Sequence, residues 1–215
     1  MPVKLIIFDL DGTLIDSSVD IANALNYAME PYSSRRVTRD ETIKLVGEGI
    51  SRLIGKLVGD RDETVRAEVG KRFLKHYTEH IVDYTVVYPG VNETLKKLGR
   101  YRKAVISNKR ESLSRLVLER LGLLKYFDLV IGSDTTPERK PSPVPVLKVL
   151  SELHVSPDSA VMVGDSNYDV DAGKAAGVVT VAVTYGYRSL EVIAHADHLI
   201  DRMLDLIPVL QRIDG

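Results

Sequence analysis

The sequence predicts an α/β fold in which a parallel β-sheet is interrupted, after its first strand, by a helical insertion. The segment VKLIIF (residues 3–8) has the β-branched and aromatic composition of a strand buried on both faces. Residues 17–80 show only the apolar spacing of helices. From residue 86 onward, short apolar segments alternate with helical segments, which is the pattern of a parallel sheet with helices on both faces.

The helical block divides into several predicted helices. Ser17 and Ser18 are candidate N-caps for VDIANALNYAME (residues 19–30). Gly47 and Gly49 interrupt the apolar stripe that follows and predict two shorter helices in place of one. The segment DETVRAEVGKRFLKHYTEH (residues 62–80) repeats the helical spacing and completes the block.

The second half of the chain alternates strictly between the two element types. Its predicted strands are KAVISN, LVIGS, AVMVGD, VVTVAVT and HLI, and its helices are VNETLKKLGR, ESLSRLVLERLG, SPVPVLKVLSELH, DVDAGKAAG and a C-terminal helix. This order predicts a Rossmann-like sheet core over residues 1–15 and 86–215, with a helical cap domain over residues 16–85. We expect the chain to cross between them near Asp16-Ser17 and Pro89-Gly90.

Composition narrows the class of protein. The 215 residues carry a net charge of -1, which argues against nucleic acid or an anionic membrane as a partner. The absence of cysteine excludes disulfides and thiolate metal sites. The N-terminal apolar run is too short for a signal peptide, and no run approaches the roughly 18 residues of a membrane span. We therefore expect a cytoplasmic protein.

The candidate site lies where the predicted strands end, because ligands of open parallel sheets bind beyond the carboxyl ends of the strands. These positions, with one loop lysine, carry acids, hydroxyls, an amide and amines: Asp9, Asp11, Thr13, Ser107, Asn108, Lys109, Lys140, Asp165 and Asp169. The carboxylates of Asp9, Asp165 and Asp169, opposed by Lys140, need a cation, and oxygen ligands favour a hard ion such as Mg²⁺. With Ser107, Asn108 and Lys140 as phosphate ligands, the pattern indicates metal-assisted phosphoryl transfer.

The motifs DLDGT, Ser107, Lys140-Pro141 and GDSNYD occur in the order that is typical of the haloacid dehalogenase superfamily, and the chain resembles that family over essentially its whole length. The resemblance implies that Asp9 is the nucleophile and forms an aspartyl-phosphate. It implies that Asp11 is the general acid and base. Ser107 and Lys140 would then hold the transferring phosphoryl group.

The same resemblance implies a metal site. Asp9, the backbone carbonyl of Asp11, and Asp165 would bind Mg²⁺. Asp169 would act on the metal indirectly, through one of its ligands or through water, and Thr13 would also act through a ligand of the metal. Whether Asp169 contacts the metal directly is left open by the sequence.

The position of the insertion, between the first and second motifs, resembles the helical cap of the phosphoglycolate phosphatase group, as do LVGEGISRLIGKLVG and YGY. The resemblance implies a phosphatase that hydrolyses a small phosphorylated metabolite, with 2-phosphoglycolate as the leading substrate. A sugar-phosphate phosphatase and a β-phosphoglucomutase-like enzyme remain as alternatives. A catalytically silent phosphate-binding regulatory protein is the alternative from another class.

Some features have simpler interpretations. Asp165 and Ser166 would also serve as an ordinary helix cap. His76 and His80 have the i, i+4 spacing of a metal pair, but no third ligand is near in sequence, so a solvated helix face is favoured. Tyr185 and Tyr187 are expected to pack at a strand exit.

Overall fold

The computed structural model describes residues 2–59 and 63–215. The chain forms two compact units: one comprises the segment that ends at Ile15 together with Val87–Gly215, and the other comprises Asp16–Val86. Within the described residues, no helix is both long enough and apolar enough to cross a membrane.

The strands, in chain order, are β1 (Leu5–Phe8), β2 (Ile15–Asp16), β3 (Val86–Val87), β4 (Arg102–Ile106), β5 (Leu129–Ile131), β6 (Ala160–Gly164), β7 (Val179–Val183) and β8 (His198–Ile200). Six of them form one sheet in the order β5-β4-β1-β6-β7-β8, and all of its neighbouring strands run parallel. The predicted α/β sheet is therefore confirmed. The remaining two, β2 and β3, pair with each other where the chain passes from one unit to the other.

The helices are α1 (Ser18–Met29), α2 (Arg39–Leu45), α3 (Ile50–Val58), α4 (Glu63–Glu79), α5 (Val91–Lys97), α6 (Glu111–Arg120), α7 (Val144–Glu152), α8 (Asn167–Ala175), α9 (Leu190–Ile193) and α10 (Leu206–Asp214). The first four belong to the Asp16–Val86 unit and the other six to the sheet unit. Asp62, the first residue of one predicted helix, lies outside the described residues.

The core of the sheet unit is built around β1, whose four side chains are all fully buried. Because successive side chains of a strand point to opposite faces, burial of all four shows that both faces of the sheet are covered here. On one face, Leu5 and Ile7 belong to an apolar cluster that also contains Val146 and Val149 of α7. This packing fixes β1 at the centre of the sheet, so its carboxyl end lies between those of β4 and β6.

The helical unit is stabilised by packing between α1 and α4 and by a buried acid. Asp20, in the first turn of α1, accepts hydrogen bonds from the N–H groups of Tyr84 and Thr85 and from the Thr85 hydroxyl. The predicted break between α2 and α3 is confirmed, and Gly47 and Gly49 both adopt positive φ angles there (108° and 83°).

The prediction that Ser17 or Ser18 caps α1 is confirmed for the position of the N-cap and wrong for its side-chain bond. Ser17 occupies the N-cap position but makes no side-chain cap bond. The Asp16 carboxylate accepts from the Ser18 N–H (3.1 Å) and from its hydroxyl (2.6 Å) instead. A charged carboxylate is the stronger acceptor at a helix N-terminus, which explains why it takes this position.

Candidate active site

The acids predicted at the strand ends do meet at one edge of the sheet. Asp9 is the first residue beyond β1, and its N–H donates to the Val163 carbonyl of β6 (2.8 Å), so the ladder extends to the site. Asp165 is the first residue beyond β6. Asp169 lies in the first turn of α8, the helix that follows. Parallel pairing of β1 with β6 thus brings together residues that are far apart in the sequence.

Carboxylate oxygens of Asp9, Asp165 and Asp169 lie within 4.8 Å of one another. The exposed fractions of these residues are 8%, 2% and 1%. Three carboxylates this close together and this well buried from solvent are unstable unless cations compensate their charge. Among residues 2–59 and 63–215, this is the one group of three or more side chains with metal-binding geometry.

Lys140 supplies part of that compensation. Its ammonium donates to Asp9 Oδ1 (2.7 Å), to Asp169 Oδ1 (2.6 Å) and to the Ile106 carbonyl at the end of β4 (2.8 Å). All three of its N–H donors are therefore matched with acceptors. The lysine side chain is 2% exposed, so the contacts form in a water-poor environment where they are strong.

The cluster shifts the acid–base equilibria of its members. Burial raises the pKa of Asp9 well above its usual value, and Asp169 and Asp165 add to this effect while Lys140 opposes it. Burial, together with the charge of Asp169, raises the pKa of Asp165 to about 7. For Lys140, burial lowers the pKa, but the carboxylates of Asp169 and Asp9 outweigh it and the net shift is upward. The group is thus short of positive charge.

Asp165 is oriented by groups from two loops. Its Oδ2 accepts from the Tyr187 N–H (2.7 Å) and its Oδ1 accepts a longer bond from the Thr13 hydroxyl (3.3 Å). Gly12 has φ +91°, and a Cβ placed there would lie 2.3 Å from Asp165 Oδ2. A Cβ on Gly186 would lie 2.2 Å from Asp165 Cβ. Both glycines therefore leave room for this carboxylate.

Asp169 has both of its oxygens engaged. Oδ1 accepts from Lys140, and Oδ2 accepts from the N–H (3.1 Å) and hydroxyl (2.6 Å) of Ser166. Ser166 is the N-cap residue of α8, so the helix-cap interpretation is confirmed for Ser166; its partner in the capping box is Asp169 and not Asp165. Because Asp169 also binds Lys140, its role in the helix cap is compatible with a role in the active site.

The phosphate-binding candidates lie at the carboxyl end of β4. The Ser107 N–H donates to the Ile131 carbonyl (3.0 Å), and its hydroxyl accepts from the Lys109 N–H (3.1 Å). The Asn108 side-chain amide donates to the Lys140 carbonyl (3.0 Å), which ties the β4 loop to the lysine loop. Ser107 and Asn108 are buried.

The sequence interpretation missed the partner of Asp11. The ammonium of Lys109 lies 2.6 Å from Asp11 Oδ1, and the two side chains are 8% and 9% exposed. The position of Lys109 at a predicted strand end indicated that it lies at the site, but the sequence interpretation gave it no role. The site therefore holds two buried lysines, one paired with Asp9 and Asp169 and the other with Asp11.

The tyrosines near residue 185 do more than pack. The Tyr185 hydroxyl donates to the Thr13 carbonyl (2.8 Å), and its ring contacts Tyr88 with centroids 4.7 Å apart. Through Tyr185 the loop after β7 supports the loop after β1, and through the Tyr187 N–H, which binds Asp165, it supports the loop after β6.

The two spaced histidines form no metal group among the described residues. The rings of His76 and His80 lie 4.4 Å apart, His76 also stacks on Tyr27, and His80 Nδ1 is 2.8 Å from Asp83. Burial lowers the pKa of His76, and the neighbouring His80 adds to this. The pair is part of the α1–α4 packing.

The acid cluster fits a hard divalent cation. The donor set is entirely oxygen, and the cluster carries more negative charge than Lys140 neutralises. Asp9 and Asp165 are the residues that would bind the ion, since each oxygen of Asp169 accepts a short bond of 2.6 Å, whereas Asp165 Oδ1 accepts only the longer one from Thr13 (3.3 Å).

Comparison with known proteins agrees with this geometry. Residues 6–183 match the haloacid dehalogenase-like hydrolase family. The chain is 41% identical over 210 residues to a phosphoglycolate phosphatase of Aquifex aeolicus, covering 97% of each chain, and 39% identical over 217 residues to one of Chromobacterium violaceum, again covering 97% of each. A crystal structure from Haemophilus somnus 129PT, described as a predicted phosphoglycolate phosphatase, superposes with a TM-score of 0.90 at 29% identity, over 96% of this chain and 97% of that one. The chain therefore belongs to the haloacid dehalogenase-like hydrolase family, as its motifs predicted, and is an enzyme of the phosphatase class.

Proposed function

We propose that this protein is a Mg²⁺-dependent phosphomonoester hydrolase that cleaves 2-phosphoglycolate through an aspartyl-phosphate on Asp9. The observation that carries the proposal is the buried group of Asp9, Asp165, Asp169 and Lys140 at the carboxyl edge of a parallel sheet. The substrate is suggested by the relatives, which are named phosphoglycolate phosphatases and match nearly the full chain.

In this proposal Asp9, the Asp11 carbonyl and Asp165 bind the metal. The ion supplies positive charge that neutralises the acids and the phosphoryl oxygens. Asp169 acts indirectly: its two engaged oxygens hold Lys140 and the start of α8 in place. Thr13 supports Asp165 through its hydroxyl and accepts from Tyr185 through its carbonyl.

The reaction has two steps, both at phosphorus. A carboxylate oxygen of Asp9 attacks the phosphorus, the bond to the ester oxygen breaks, and Asp11 gives that oxygen a proton, so glycolate leaves. Asp11 then takes a proton from a water molecule whose oxygen attacks the phosphorus, and cleavage of the P–O bond to Asp9 releases phosphate. Ser107 and Asn108 orient the phosphoryl oxygens during both steps, and Lys140 joins them by exchanging one of its three bonds for one to a phosphoryl oxygen.

We further propose that the Asp16–Val86 unit acts as a helical cap domain. Support comes from its place in the chain, between β1 with Asp9 and Asp11 and the strands that carry the other site residues. A cap that excludes water from a small substrate would favour transfer of the phosphoryl group to Asp9 before hydrolysis.

The test is phosphate release from a panel of small phosphomonoesters with Mg²⁺, comparing the wild type with Asp9→Asn. Asp158→Asn makes the same change at an exposed acid of the sheet unit and is the matched control. We expect release to be greatest with 2-phosphoglycolate, to be lost in Asp9→Asn and to be retained in Asp158→Asn.

Other outcomes separate the alternatives. If phosphate release is greatest with a sugar phosphate, the proposed mechanism stands and the proposed substrate is wrong. A phosphorylated Asp9 that persists without an acceptor would favour a mutase. Mg²⁺ and phosphate binding without Asp9-dependent release from any ester would refute the hydrolase and favour a regulatory protein.

A further inference from the structure

The segment Tyr185-Gly186-Tyr187, in the loop after β7, takes no part in the proposed chemistry, yet each of its residues contacts the proposed metal site or the loop beside it. The Tyr187 N–H donates to Asp165 Oδ2 (2.7 Å). A Cβ on Gly186 would lie 2.7 Å from the Gly12 carbonyl oxygen, so the backbone passes directly against the loop after β1. The whole segment thus lies against the surroundings of one carboxylate.

The Tyr185 side chain reaches the same carboxylate through Thr13. The Tyr185 hydroxyl donates to the Thr13 carbonyl (2.8 Å), and the Thr13 hydroxyl donates to Asp165 Oδ1 (3.3 Å). Because Tyr187 binds the other oxygen of Asp165, these bonds and the short chain from Tyr185 to Tyr187 form a closed ring through Asp165. The bond from Thr13 is the longest in this ring, so it is the one that a small shift of Thr13 would break.

Tyr185 is itself fixed at two points. Its ring packs against Tyr88 with centroids 4.7 Å apart, and the Tyr88 N–H donates to the Leu14 carbonyl (3.0 Å). Since Leu14 follows Thr13, the hydroxyl and the ring of Tyr185 are both anchored to the same stretch of the loop after β1. A side chain held by packing and by a hydrogen bond keeps one orientation and can therefore position its neighbours.

The placement of Asp165 matters because Mg²⁺ accepts little deviation from octahedral geometry, and because groups that orient the ligands of a metal contribute to its affinity. We infer that Tyr185 is a positioning residue of the metal site: through Thr13 it fixes Asp165 and so raises the affinity for Mg²⁺ without contacting the ion. This inference rests on the proposed function, which assigns the metal to Asp165.

The experiment is a calorimetric titration of the metal-free protein with Mg²⁺, comparing the wild type with Tyr185→Phe, which removes only the hydroxyl. Tyr101→Phe is the matched control, because the Tyr101 hydroxyl donates to Asp214 (2.9 Å) next to the amino end of β4, at the opposite edge of the sheet. Since Tyr185 acts one bond further away than a direct partner of a ligand, we expect Tyr185→Phe to weaken Mg²⁺ binding about 3- to 10-fold. We expect Tyr101→Phe to leave it unchanged.

A double variant tests the route through Thr13. Thr13→Val removes the hydroxyl that reaches Asp165 but keeps the carbonyl that Tyr185 binds. In the Thr13→Val background we expect Tyr185→Phe to weaken Mg²⁺ binding by less than about 2-fold. In EDTA, the midpoint of urea unfolding should fall by similar amounts in Tyr185→Phe and Tyr101→Phe, because each variant loses one hydroxyl hydrogen bond.

Equal Mg²⁺ affinity of Tyr185→Phe and the wild type would overturn the inference, reduce Tyr185 to a packing role and leave the proposed function intact. An undiminished effect of Tyr185→Phe in the Thr13→Val background would also overturn it, because the route through Thr13 would then be wrong. If the wild type binds no Mg²⁺, the metal dependence in the proposed function fails and the inference fails with it.

Discussion

Replacement of Lys140 by methionine tests whether the acid cluster needs its buried cation. The substitution keeps most of the aliphatic stem but removes an ammonium that contacts Asp9 at 2.7 Å and Asp169 at 2.6 Å. Breaking a buried ion pair by removing one partner typically costs about 3–5 kcal/mol. With two carboxylates and a backbone carbonyl losing their donor, we expect the free energy of unfolding of the metal-free protein to fall by about 4 kcal/mol at pH 7.5.

The pH dependence has a defined sign. The pKa of Lys140 is raised above 10.5 in the folded protein, so its stabilising contribution is fully present at pH 7.5 and is lost only as the pH rises beyond that ordinary value. In Lys140→Met the uncompensated carboxylates are relieved by protonation, and the loss in unfolding free energy should be smaller at pH 5.5 than at pH 7.5.

The assay is urea denaturation of wild type and variant in EDTA and in Mg²⁺, with Lys97→Met as the exposed control, for which we expect little change. Mg²⁺ should recover part of the loss because it restores positive charge to the cluster. Adding Asp169→Asn to Lys140→Met should also recover stability, since it removes one unpaired acid. A loss below about 1 kcal/mol in EDTA would refute the reasoning, because a buried pair of this kind is expected to cost several times more.

Three further predictions concern the metal site. Because burial raises the pKa of Asp165 to about 7, protons compete with the cation near and below that pH, and the Mg²⁺ affinity measured by calorimetry should rise from pH 6 to pH 7.5; a flat profile over this range would contradict the assignment. Asp165→Asn should weaken Mg²⁺ binding more than Asp169→Asn, because each oxygen of Asp169 accepts a bond of 2.6 Å while Asp165 Oδ1 accepts only a longer one (3.3 Å); equal losses in the same titration would make Asp169 a direct ligand. Gly12→Ala should greatly weaken Mg²⁺ binding, since its Cβ would lie 2.3 Å from Asp165 Oδ2. The control is Gly122→Ala, also at positive φ but with open space around it, which should lower the melting temperature without affecting Mg²⁺ binding. Equal Mg²⁺ affinity in both variants would show that the close approach at Gly12 is unimportant.

The local pattern of the sequence was enough to place the strands and their terminal acids. An apolar run rich in β-branched and aromatic residues, followed by DLDGT, is typical of a buried strand that ends at polar groups, and parallel strands share one carboxyl edge. That is why Asp9, Asp165 and Asp169 were expected together, and why they are found together.

Tertiary structure decided which of these groups touch. Lys109 and Asp11 are 98 positions apart, and their contact depends on how the β4 loop closes against the β1 loop, which a pattern of residue types does not specify. The donor to Asp165 from Tyr187 is a backbone N–H, which every residue but proline carries, so no sequence signal marks it.

The sequence by itself determined the fold class, the family and the residue types of the site, because hydrophobic periodicity and strand-end motifs are local properties of the chain. Only the tertiary structure decided that both oxygens of Asp169 are occupied, that Asp16 and not Ser17 provides the bonds at the start of α1, and that a second lysine lies against Asp11. Each of these depends on differences in atomic position of less than about an ångström, and hydrogen bonds are selective on that scale.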